Sequence, residues 1–381
     1  MITELYNRAK EKFEASHSDV SIQFITTNAI SNTSITNELK AVIDAGKSPD
    51  LVLFGSAVLP SIVGKNGFID IEQLAKINGT DLNEFFDTNL LGNFKYEDKL
   101  FAIPVGATPI VVMYNKKIFS SLGISEPKSD WSWDNFAEIA KRLKNDTSSS
   151  KNGVTTIFPL TNHHLSSLVL SNGGSFLSPD GLTMQGYLDS DSSVSAIEWY
   201  SKMVHEGIVQ PKYITNTPIE VEKGTVGMYV SKYNELSLLT DQQKENMGVV
   251  VQPSFSQRTK SIHGSITGMG ILKDSKNADL AFEFMKFVTM DSNEITTDLF
   301  KSSYNISKSV YSAMKKDQFI SVLMESLPLI KNDIYGRNPY LMNIQTDIQK
   351  KLEQTILQNQ DIKSSLTEVA KSAEPELKKN K

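Results

Sequence analysis

Apolar residues recur along this chain at spacings that alternate between those of helices and those of strands. Residues 2–13 carry apolar side chains every three or four positions, which predicts an amphipathic helix. Residues 20–24 alternate apolar and polar positions and predict a strand, and residues 33–45 predict a second helix. The unbroken apolar run at 51–54 is typical of a strand buried on both faces of a parallel sheet. Helix, strand, helix and strand in this order predict an α/β fold.

Residues 100–143 have the most informative pattern. Two apolar runs, 100–105 and 110–114, predict two strands on either side of a Gly-Ala-Thr-Pro interruption. Asn115 begins a short predicted helix that ends at Gly123, because glycine readily adopts the left-handed backbone conformation. Ser132 is the predicted cap of a following helix. Further along, Ser192 or Ser193 is the predicted cap of a helix over the next dozen residues.

Size and composition narrow the class of protein. A chain of 381 residues is long for one core and predicts about two lobes. The formal net charge of −5 and the lack of a basic block before the Lys-rich tail at 378–381 argue against a nucleic-acid partner. The absence of cysteine excludes disulfides, thiolate metal sites and a cysteine nucleophile. The first residues lack the charged and apolar regions of a signal peptide, and no apolar run is long enough to span a bilayer.

Enzyme and metal signatures are weak. The serine of Gly264-Ser265-Ile266-Thr267-Gly268 is one place too early for a nucleophile elbow. The five histidines form no H-x-x-x-H pair, so the sequence predicts no metal and no cofactor. The segment 189–192 resembles the start of a calcium loop but lacks the later Gly and Glu, which favours helix capping. Paired carboxylates of a glycosidase are a spatial feature and stay open at this point.

A set of ordered motifs resembles the family 1 extracellular solute-binding proteins, the carbohydrate receptors of ABC importers, whose best-known member is maltose-binding protein. The motifs are Tyr114-Asn115-Lys116-Lys117-Ile118-Phe119, Gly123-Ile124, Pro127 and Ser132-Trp133-Asp134-Asn135-Phe136. Similar matches occur at 49–54, 67–70, 194–211, 224–229 and 276–288, so the resemblance extends from about residue 2 to residue 377.

The resemblance implies an α/β, two-lobed periplasmic-binding-protein-like fold of class II, with a ligand cleft between the lobes. Lobe 1 would comprise residues 1–109 and 266–306, and lobe 2 would comprise residues 110–265 and 307–381. The chain would cross between lobes at about 107–112, 262–267 and 304–309. The family places a strand and a ligand-contacting loop before its first helix. Neither is matched here, so the first strand is expected to be missing.

The same resemblance implies an extracellular protein, without enzyme activity, that captures a mono- or short oligosaccharide and delivers it to the permease subunits of an ABC importer. It implies a monomer that meets the membrane only through a lipid anchor, which this chain does not carry. Three alternatives stay open. They are a glycoside-acting enzyme with a bilobal α/β body, a receptor for a polyamine or iron, and a surface adhesin or sensor partner. A cluster of tyrosine and carboxylate groups would favour the polyamine or iron receptor.

Candidate ligand-binding residues follow from positions in the family pattern. Phe54 falls where relatives place a stacking ring, although a core phenylalanine fits equally well. Gly55 and Ser56 follow the carboxyl end of the same strand, where open α/β sheets bind ligands. Thr108 falls where the family has an acidic contact, and the loss of that acid argues against a maltodextrin ligand.

The remaining candidates lie in the predicted second lobe. His163 and His164 match the region of a contacting tyrosine, with surface capping as the alternative. His263 and Gly264 lie at the second crossing, where a hinge role is equally plausible. The tyrosine candidates are Tyr229, Tyr233 and Tyr340. All three tryptophans fall at positions that indicate structural roles, which favours a small or polar sugar.

Overall fold

The computed structural model describes residues 2–25, 32–59, 62, 67–96, 98–146, 153–214, 216–255, 260–301, 306–313, 317–331, 338 and 340–380. The chain divides into two compact units. Unit 1 comprises Met1–Thr108, Ser265–Asp317 and Tyr335–Pro339. Unit 2 comprises Pro109–Gly264, Gln318–Ile334 and Tyr340–Lys381. Residues 307–317 thus group with unit 1, whereas the sequence analysis places them in the second lobe. Part of the predicted third crossing, residues 304–305, lies outside the described residues.

Unit 1 combines helices with a small sheet. Its helices are α1 (Ile2–Ser16), α2 (Asn32–Asp44), α3 (Ile71–Ile77), α4 (Leu82–Phe85), α5 (Thr88–Gly92), α12 (Ala278–Thr289), α13 (Glu294–Lys301) and α14 (Lys308–Ala313). Its strands are β1 (Leu51–Gly55), β2 (Lys95–Tyr96), β3 (Lys99–Leu100) and the unit 1 parts of β4 (Ile103–Asn115) and β8 (Ile262–Ile271). A 3₁₀ turn at Ser56–Val58 follows β1.

Unit 2 contains the larger set of elements. Its helices are α6 (Lys116–Ser121), α7 (Trp133–Asn145), α8 (Asn162–Leu170), α9 (Asp191–His205), α10 (Thr217–Lys223), α11 (Asp241–Lys244), α15 (Gln318–Ser326), α16 (Leu341–Leu357) and α17 (Ile362–Leu377). Its strands are the remainder of β4 and β8 together with β5 (Thr155–Ile157), β6 (Val226–Lys232), β7 (Met247–Val251) and β9 (Ile330–Lys331). A 3₁₀ segment at Tyr233–Leu238 follows β6 directly. Within the described ranges, no helix combines the length and apolarity needed to cross a membrane.

The strand β1 differs from its prediction in two respects. It pairs with β8 in antiparallel register, from Leu51 opposite Ile271 to Gly55 opposite Thr267. Only Phe54 in this strand is buried, and Leu53 is 43% exposed. The prediction of a parallel strand buried on both faces was therefore wrong. An apolar run fixes neither the direction of its partner nor what covers its second face.

Phe54 belongs to an aromatic cluster in the core of unit 1. Its ring centroid lies 5.3 Å from that of Phe68 and 5.9 Å from that of Phe94. Two glycines of β8 make room for these rings. A Cβ atom on Gly268 would lie 2.4 Å from the Phe94 ring, and one on Gly270 would lie 2.9 Å from the Phe68 ring and 3.0 Å from the Phe54 ring. The Gly-Met-Gly sequence is thus explained by close packing.

Residues 20–24 do not form the predicted strand. Residues 21–25 have no regular secondary structure, and Phe24 is 44% exposed. The backbone N–H of Ile22 donates to the Glu14 carboxylate at 2.6 Å instead of to a neighbouring strand. Alternation of apolar and polar residues sets the two faces of a strand, but a strand also requires a backbone partner.

The core sheet of unit 2 is built around β4. Residues 110–114 pair in antiparallel register with β6, and residues 111–115 pair in antiparallel register with β7. Strand β5 extends the sheet by pairing in parallel with β6. Strand β4 is a single strand of 13 residues, so the prediction of two strands separated at residues 106–109 was wrong. A Gly and a Pro weaken strand propensity, but neither forces the chain to turn.

Several predicted helix ends are confirmed, and one is corrected. The Asn115 side chain accepts from the Ile118 amide at the start of α6, and Gly123 follows that helix with φ +58°. Ser132 and Asn135 form a capping box at the start of α7. Helix α9 is capped by Ser190, whose hydroxyl accepts from the Ser193 amide, so the prediction of Ser192 or Ser193 as the cap was wrong.

The tryptophans have the structural roles that their positions indicate. Trp133 is fully buried, and its indole N–H donates to the Ser171 hydroxyl at 2.8 Å. Its ring lies 5.3 Å from those of Phe136, Phe158 and Trp199. The Trp131 indole N–H donates to the Val251 carbonyl oxygen at 2.8 Å. Edge and stacked contacts of this kind hold α7 against the sheet of unit 2.

Candidate functional site

A cluster of three histidines lies in unit 2, where α8 and β8 both begin. Thr161 caps α8 by accepting from the His164 amide, which brings His163 and His164 into the first turn. His163 Nδ1 lies 2.8 Å from His263 Nε2, so the two imidazoles share a hydrogen bond. We refer to His163, His164 and His263 as the imidazole cluster. The chain separates His163 from His263 by 100 residues, and only the fold brings them together.

His263 is fixed by a buried amide and hydroxyl pair. Its backbone N–H donates to the Ser167 hydroxyl at 2.8 Å, and that hydroxyl lies 2.5 Å from Gln252 Oε1. The Gln252 amide donates back to the Ser167 carbonyl oxygen at 3.1 Å. The His263 side chain itself is buried, and its Nδ1 makes no hydrogen bond within the described residues. An unsatisfied buried nitrogen is uncommon and marks this position for explanation.

The imidazole cluster is uncharged at neutral pH. Burial, followed by the charge of Lys232, lowers the pKa of both His163 and His164 to about 3. Burial and the neighbouring groups also lower the pKa of His263 well below its ordinary value. A neutral imidazole presents one donor and one acceptor, which matches the hydrogen-bonding capacity of a sugar hydroxyl.

A second set of polar groups adjoins Lys232 at the end of β6. The Tyr229 hydroxyl donates to Glu235 Oε2 at 2.8 Å. Burial raises the pKa of Glu235, while the Tyr229 hydroxyl and the charge of Lys232 act in the opposite direction. Burial and the same carboxylate raise the pKa of Tyr213, whose side chain is 58% exposed. Lys232 therefore acts on both the imidazole cluster and Glu235.

The predicted tyrosines differ in their surroundings. Tyr229 is fully buried, so it contributes to this site through the hydrogen bond from its hydroxyl to Glu235. Tyr233 is 5% exposed and donates to the Phe319 carbonyl oxygen at 3.0 Å. Tyr340 is half-buried and immediately precedes α16. Gly264 lies in β8, and a Cβ at this position would contact Ile330 at 2.9 Å and Pro109 at 3.2 Å.

The candidates in unit 1 occupy β1, its following turn and β4. Phe54 lies in the aromatic core, which favours the core interpretation of that residue. Gly55 ends β1 and is half-buried. Ser56 is 3% exposed, and its hydroxyl makes no hydrogen bond within the described part of unit 1. Thr108 is half-buried at the last position of the first unit 1 segment.

The sequence analysis missed Lys232, Glu235, Ser167 and Gln252. Gln252 had a detectable signal, because a buried glutamine directly after the apolar run of β7 requires partners. Lys232 and Glu235 had none, since charged residues are ordinary at the end of a strand and in the segment that follows it. Among the residues that the structure describes, no three His, Asp or Glu side chains lie close enough to hold a metal ion.

Comparison with known proteins identifies the family. Residues 8–320 match the family described as bacterial extracellular solute-binding protein. A binding protein of Brucella abortus (strain 2308) is 23% identical over 304 residues, which cover 74% of this chain and 68% of the relative. The diacetylchitobiose-binding protein DasA of Streptomyces coelicolor is 25% identical over 269 residues, which cover 68% of this chain and 61% of the relative.

The fold is shared with solved structures of low sequence identity. The sugar-binding protein MalE of Xanthomonas citri is similar over 99% of this chain and 95% of its own, with a TM-score of 0.83 at 14% identity. This similarity shows that the two α/β units form the fold of periplasmic-binding proteins, as predicted. Proteins of this family bind solutes and are not enzymes. The family match, which spans most of the chain, shows that this protein belongs to the bacterial extracellular solute-binding proteins.

Proposed function

We propose that this protein captures a mono- or short oligosaccharide outside the cell and delivers it to the permease of an ABC importer. The family match carries the proposal, since it assigns solute binding to the chain. The relative DasA, which binds diacetylchitobiose, and the sugar-binding MalE support a carbohydrate as the solute. The imidazole cluster adds support from the chain itself, because neutral buried imidazoles suit hydroxyl groups.

In this proposal His163 is the contact residue of unit 2. It is half-buried at the start of α8, and its ring is oriented by the 2.8 Å hydrogen bond to His263. Because burial keeps both rings neutral, each imidazole has one ring nitrogen that donates a hydrogen bond and one that accepts. Sugar sites generally use polar groups with this capacity. Thr108, Ser56 and Tyr340 stay predictions as further contacts.

The proposal extends to location and assembly. The family is extracellular, and we infer a monomer held at the membrane by a lipid anchor and meeting permease subunits. We further infer that the bound sugar leaves unchanged, without turnover. Partition of the native protein into a detergent phase would test the anchor, and light scattering after gel filtration would test the monomer.

A polyamine is the second candidate, because Tyr213, Tyr229 and Glu235 form a small group of tyrosines and one carboxylate in unit 2. Lys232 disfavours it, since its charge acts on the same carboxylate and would repel a cationic ligand. A neutral sugar carries no charge, so Lys232 would not repel it. The test below therefore includes a polyamine as a separate arm.

The experiment is a thermal unfolding screen of the purified protein. The panel contains glucose, galactose, maltotriose, N,N′-diacetylchitobiose, β-1,6-galactobiose and spermidine. A ligand at about a hundredfold its Kd stabilises the protein by roughly 2.7 kcal/mol, which raises the melting temperature by roughly a few degrees. We expect a shift with one class of sugar and none with spermidine.

A pair of histidine variants provides the control. His163→Ala should abolish the shift at the same sugar concentration. His205→Ala, which removes a side chain bonded to the Ile356 carbonyl oxygen in the same unit, should retain it. A shift with spermidine alone, or with no compound of the panel, would refute the carbohydrate proposal.

A further inference from the structure

The two ring nitrogens of His263 have unequal surroundings. Nε2 lies 2.8 Å from His163 Nδ1, and the centroids of the two rings are 4.9 Å apart. Nδ1 is buried and makes no hydrogen bond among the residues that the structure describes. The adjacent Ser167 hydroxyl does not donate to it, because that hydroxyl donates to Gln252 Oε1 and accepts from the His263 backbone N–H. One nitrogen of this ring therefore has a partner, and the other has none.

This inequality determines where the proton of His263 lies. Burial lowers the pKa of His263 well below its ordinary value, so the ring is neutral and carries one proton on one of its two nitrogens. A proton on Nδ1 would leave a buried N–H without an acceptor, whereas a proton on Nε2 leaves only a lone pair without a donor. Among backbone groups, a buried N–H without an acceptor is the rarer of the two. We therefore place the proton on Nε2, which donates to His163 Nδ1.

The same hydrogen bond then determines the tautomer of His163. Burial, followed by the charge of Lys232, lowers the pKa of His163 to about 3, so this ring is also neutral. Because its Nδ1 accepts from His263, its single proton lies on Nε2. His163 is half-buried in the first turn of α8, whereas His263 is 2% exposed. Of the two rings, His163 is thus the one placed to meet a solute, and its Nε2 is a donor.

We propose that His263 is a positioning residue that fixes His163 as the Nε2–H tautomer, so that His163 offers a solute a hydrogen-bond donor and not an acceptor. This inference rests on the proposed function, because it concerns the His163 contact assigned there. The group recognised by His163 is then an oxygen that accepts, such as a hydroxyl oxygen, a ring oxygen or an acetamido carbonyl oxygen of a neutral sugar. An ammonium group of a polyamine only donates and finds no partner at this nitrogen.

The tautomers are read by long-range proton–nitrogen correlation NMR of the isotope-labelled full chain, since protonated and unprotonated ring nitrogens have different chemical shifts. The spectrum is recorded at about pH 8, where ordinary imidazoles are neutral. His205 is the internal reference, because its Nε2 lies 2.7 Å from the Ile356 carbonyl oxygen, which only accepts, so this nitrogen carries the proton. We expect His163 and His263 to show the same pattern as His205, with Nε2 protonated and Nδ1 unprotonated.

Two variants of His263 separate the positioning role from packing. His263→Phe keeps a ring but removes the donor, so His163 should become a mixture of both tautomers. The affinity for whichever of maltotriose and N,N′-diacetylchitobiose binds the wild type should fall roughly threefold to tenfold, as expected for one hydrogen bond. His263→Gln supplies an amide N–H near the position of Nε2 and should keep the tautomer and most of the affinity. His205→Gln is the matched control and should change neither. Melting temperatures establish which variants are folded.

The outcomes separate this inference from the proposed function. Protonated Nε2 atoms in both wild-type rings, with mixed tautomers and weaker binding in His263→Phe, support the inference. A protonated His163 Nδ1 in the wild type, or an unchanged His163 tautomer in folded His263→Phe, overturns the inference and leaves the proposed function intact. If His263→Phe does not fold, the wild-type spectrum decides alone. Absence of binding by both sugars overturns the proposed function and the donor role of His163 with it.

Discussion

The imidazole cluster should make the protein sensitive to acid. His164 is 1% exposed, its Nδ1 lies 2.7 Å from the Thr161 hydroxyl, and its pKa is lowered to about 3 by burial and by Lys232. The unfolded chain binds a proton at His164 near pH 6.5, whereas the folded chain does not. Stability is therefore fully present above about pH 6.5 and is lost progressively as the pH falls toward 3.

The magnitude follows from this difference. Each pH unit below 6.5 costs about 1.36 kcal/mol for one such group, so His164 alone accounts for a loss of roughly 2 kcal/mol between pH 7 and pH 5. The pKa values of His163 and His263 are lowered in the same direction, so they increase the loss. Acidic residues with lowered pKa values contribute only at still lower pH.

The assay is urea unfolding at pH 7 and pH 5, with the free energy of unfolding obtained at each pH. His164→Gln should be less stable than the wild type at pH 7, because the substitution disturbs a buried hydrogen bond. Its loss between pH 7 and pH 5 should nevertheless be smaller by roughly 2 kcal/mol, since the titrating group is gone.

His17→Gln is the matched control. Hydrogen bonds from this half-buried ring to the Phe13 carbonyl oxygen and to Glu283 raise the pKa of His17, so the protonated form is stabilised in the fold. Removing it should leave the acid sensitivity unchanged or slightly larger. If His164→Gln shows the same pH dependence as the wild type, the reasoning about a neutral buried cluster is wrong.

Two further predictions concern single side chains in unit 2. Ser190→Ala should destabilise the protein by about 0.5–2 kcal/mol, because it removes the cap of α9. Ser192→Ala should have almost no effect. The midpoints of urea unfolding of the two variants show which serine is the cap. Burial raises the pKa of Glu374, but hydrogen bonds from Lys378, Thr183 and backbone amides outweigh it and lower the pKa to about 2. Glu374→Gln should therefore lower the free energy of unfolding by roughly 3 kcal/mol at pH 7 and by little at pH 2. The reason is that the ionised Glu374 stabilises the fold above about pH 4.5, and this stabilisation is lost as the pH falls to about 2. Equal destabilisation at both pH values would contradict the prediction.

Local signals explain why much of the fold could be predicted. Asn115, Ser132 and Gly123 act within three residues of the helix ends that they define, so sequence alone identifies them. The prediction failed where the outcome depends on distant partners. Residues 20–24 alternate like a strand, but the Ile22 amide bonds to Glu14, and β1 pairs with β8 in a direction that its own residues do not specify.

The candidate site shows the same division. His163 and His263 were predicted separately from the family pattern, and the hydrogen bond that joins them depends on the placement of α8 beside β8. Lys232 and Glu235 were not predicted, because their importance comes from burial and from mutual charge, and neither is visible in a short polar segment. Phe54 was predicted as a ligand-stacking ring from its position in the family pattern, but in the structure it packs against Phe68 and Phe94 in the core.

Binding of an unmodified sugar is the central claim, and calorimetric titration tests it most directly. The purified protein would be titrated with each sugar of the panel, and the ligand recovered afterwards would be analysed by mass spectrometry. We predict saturable binding of one neutral sugar class with one site per chain, loss of that binding in His163→Ala, and recovery of the intact sugar. Absence of binding by every sugar, or recovery of a cleaved product, would contradict the account.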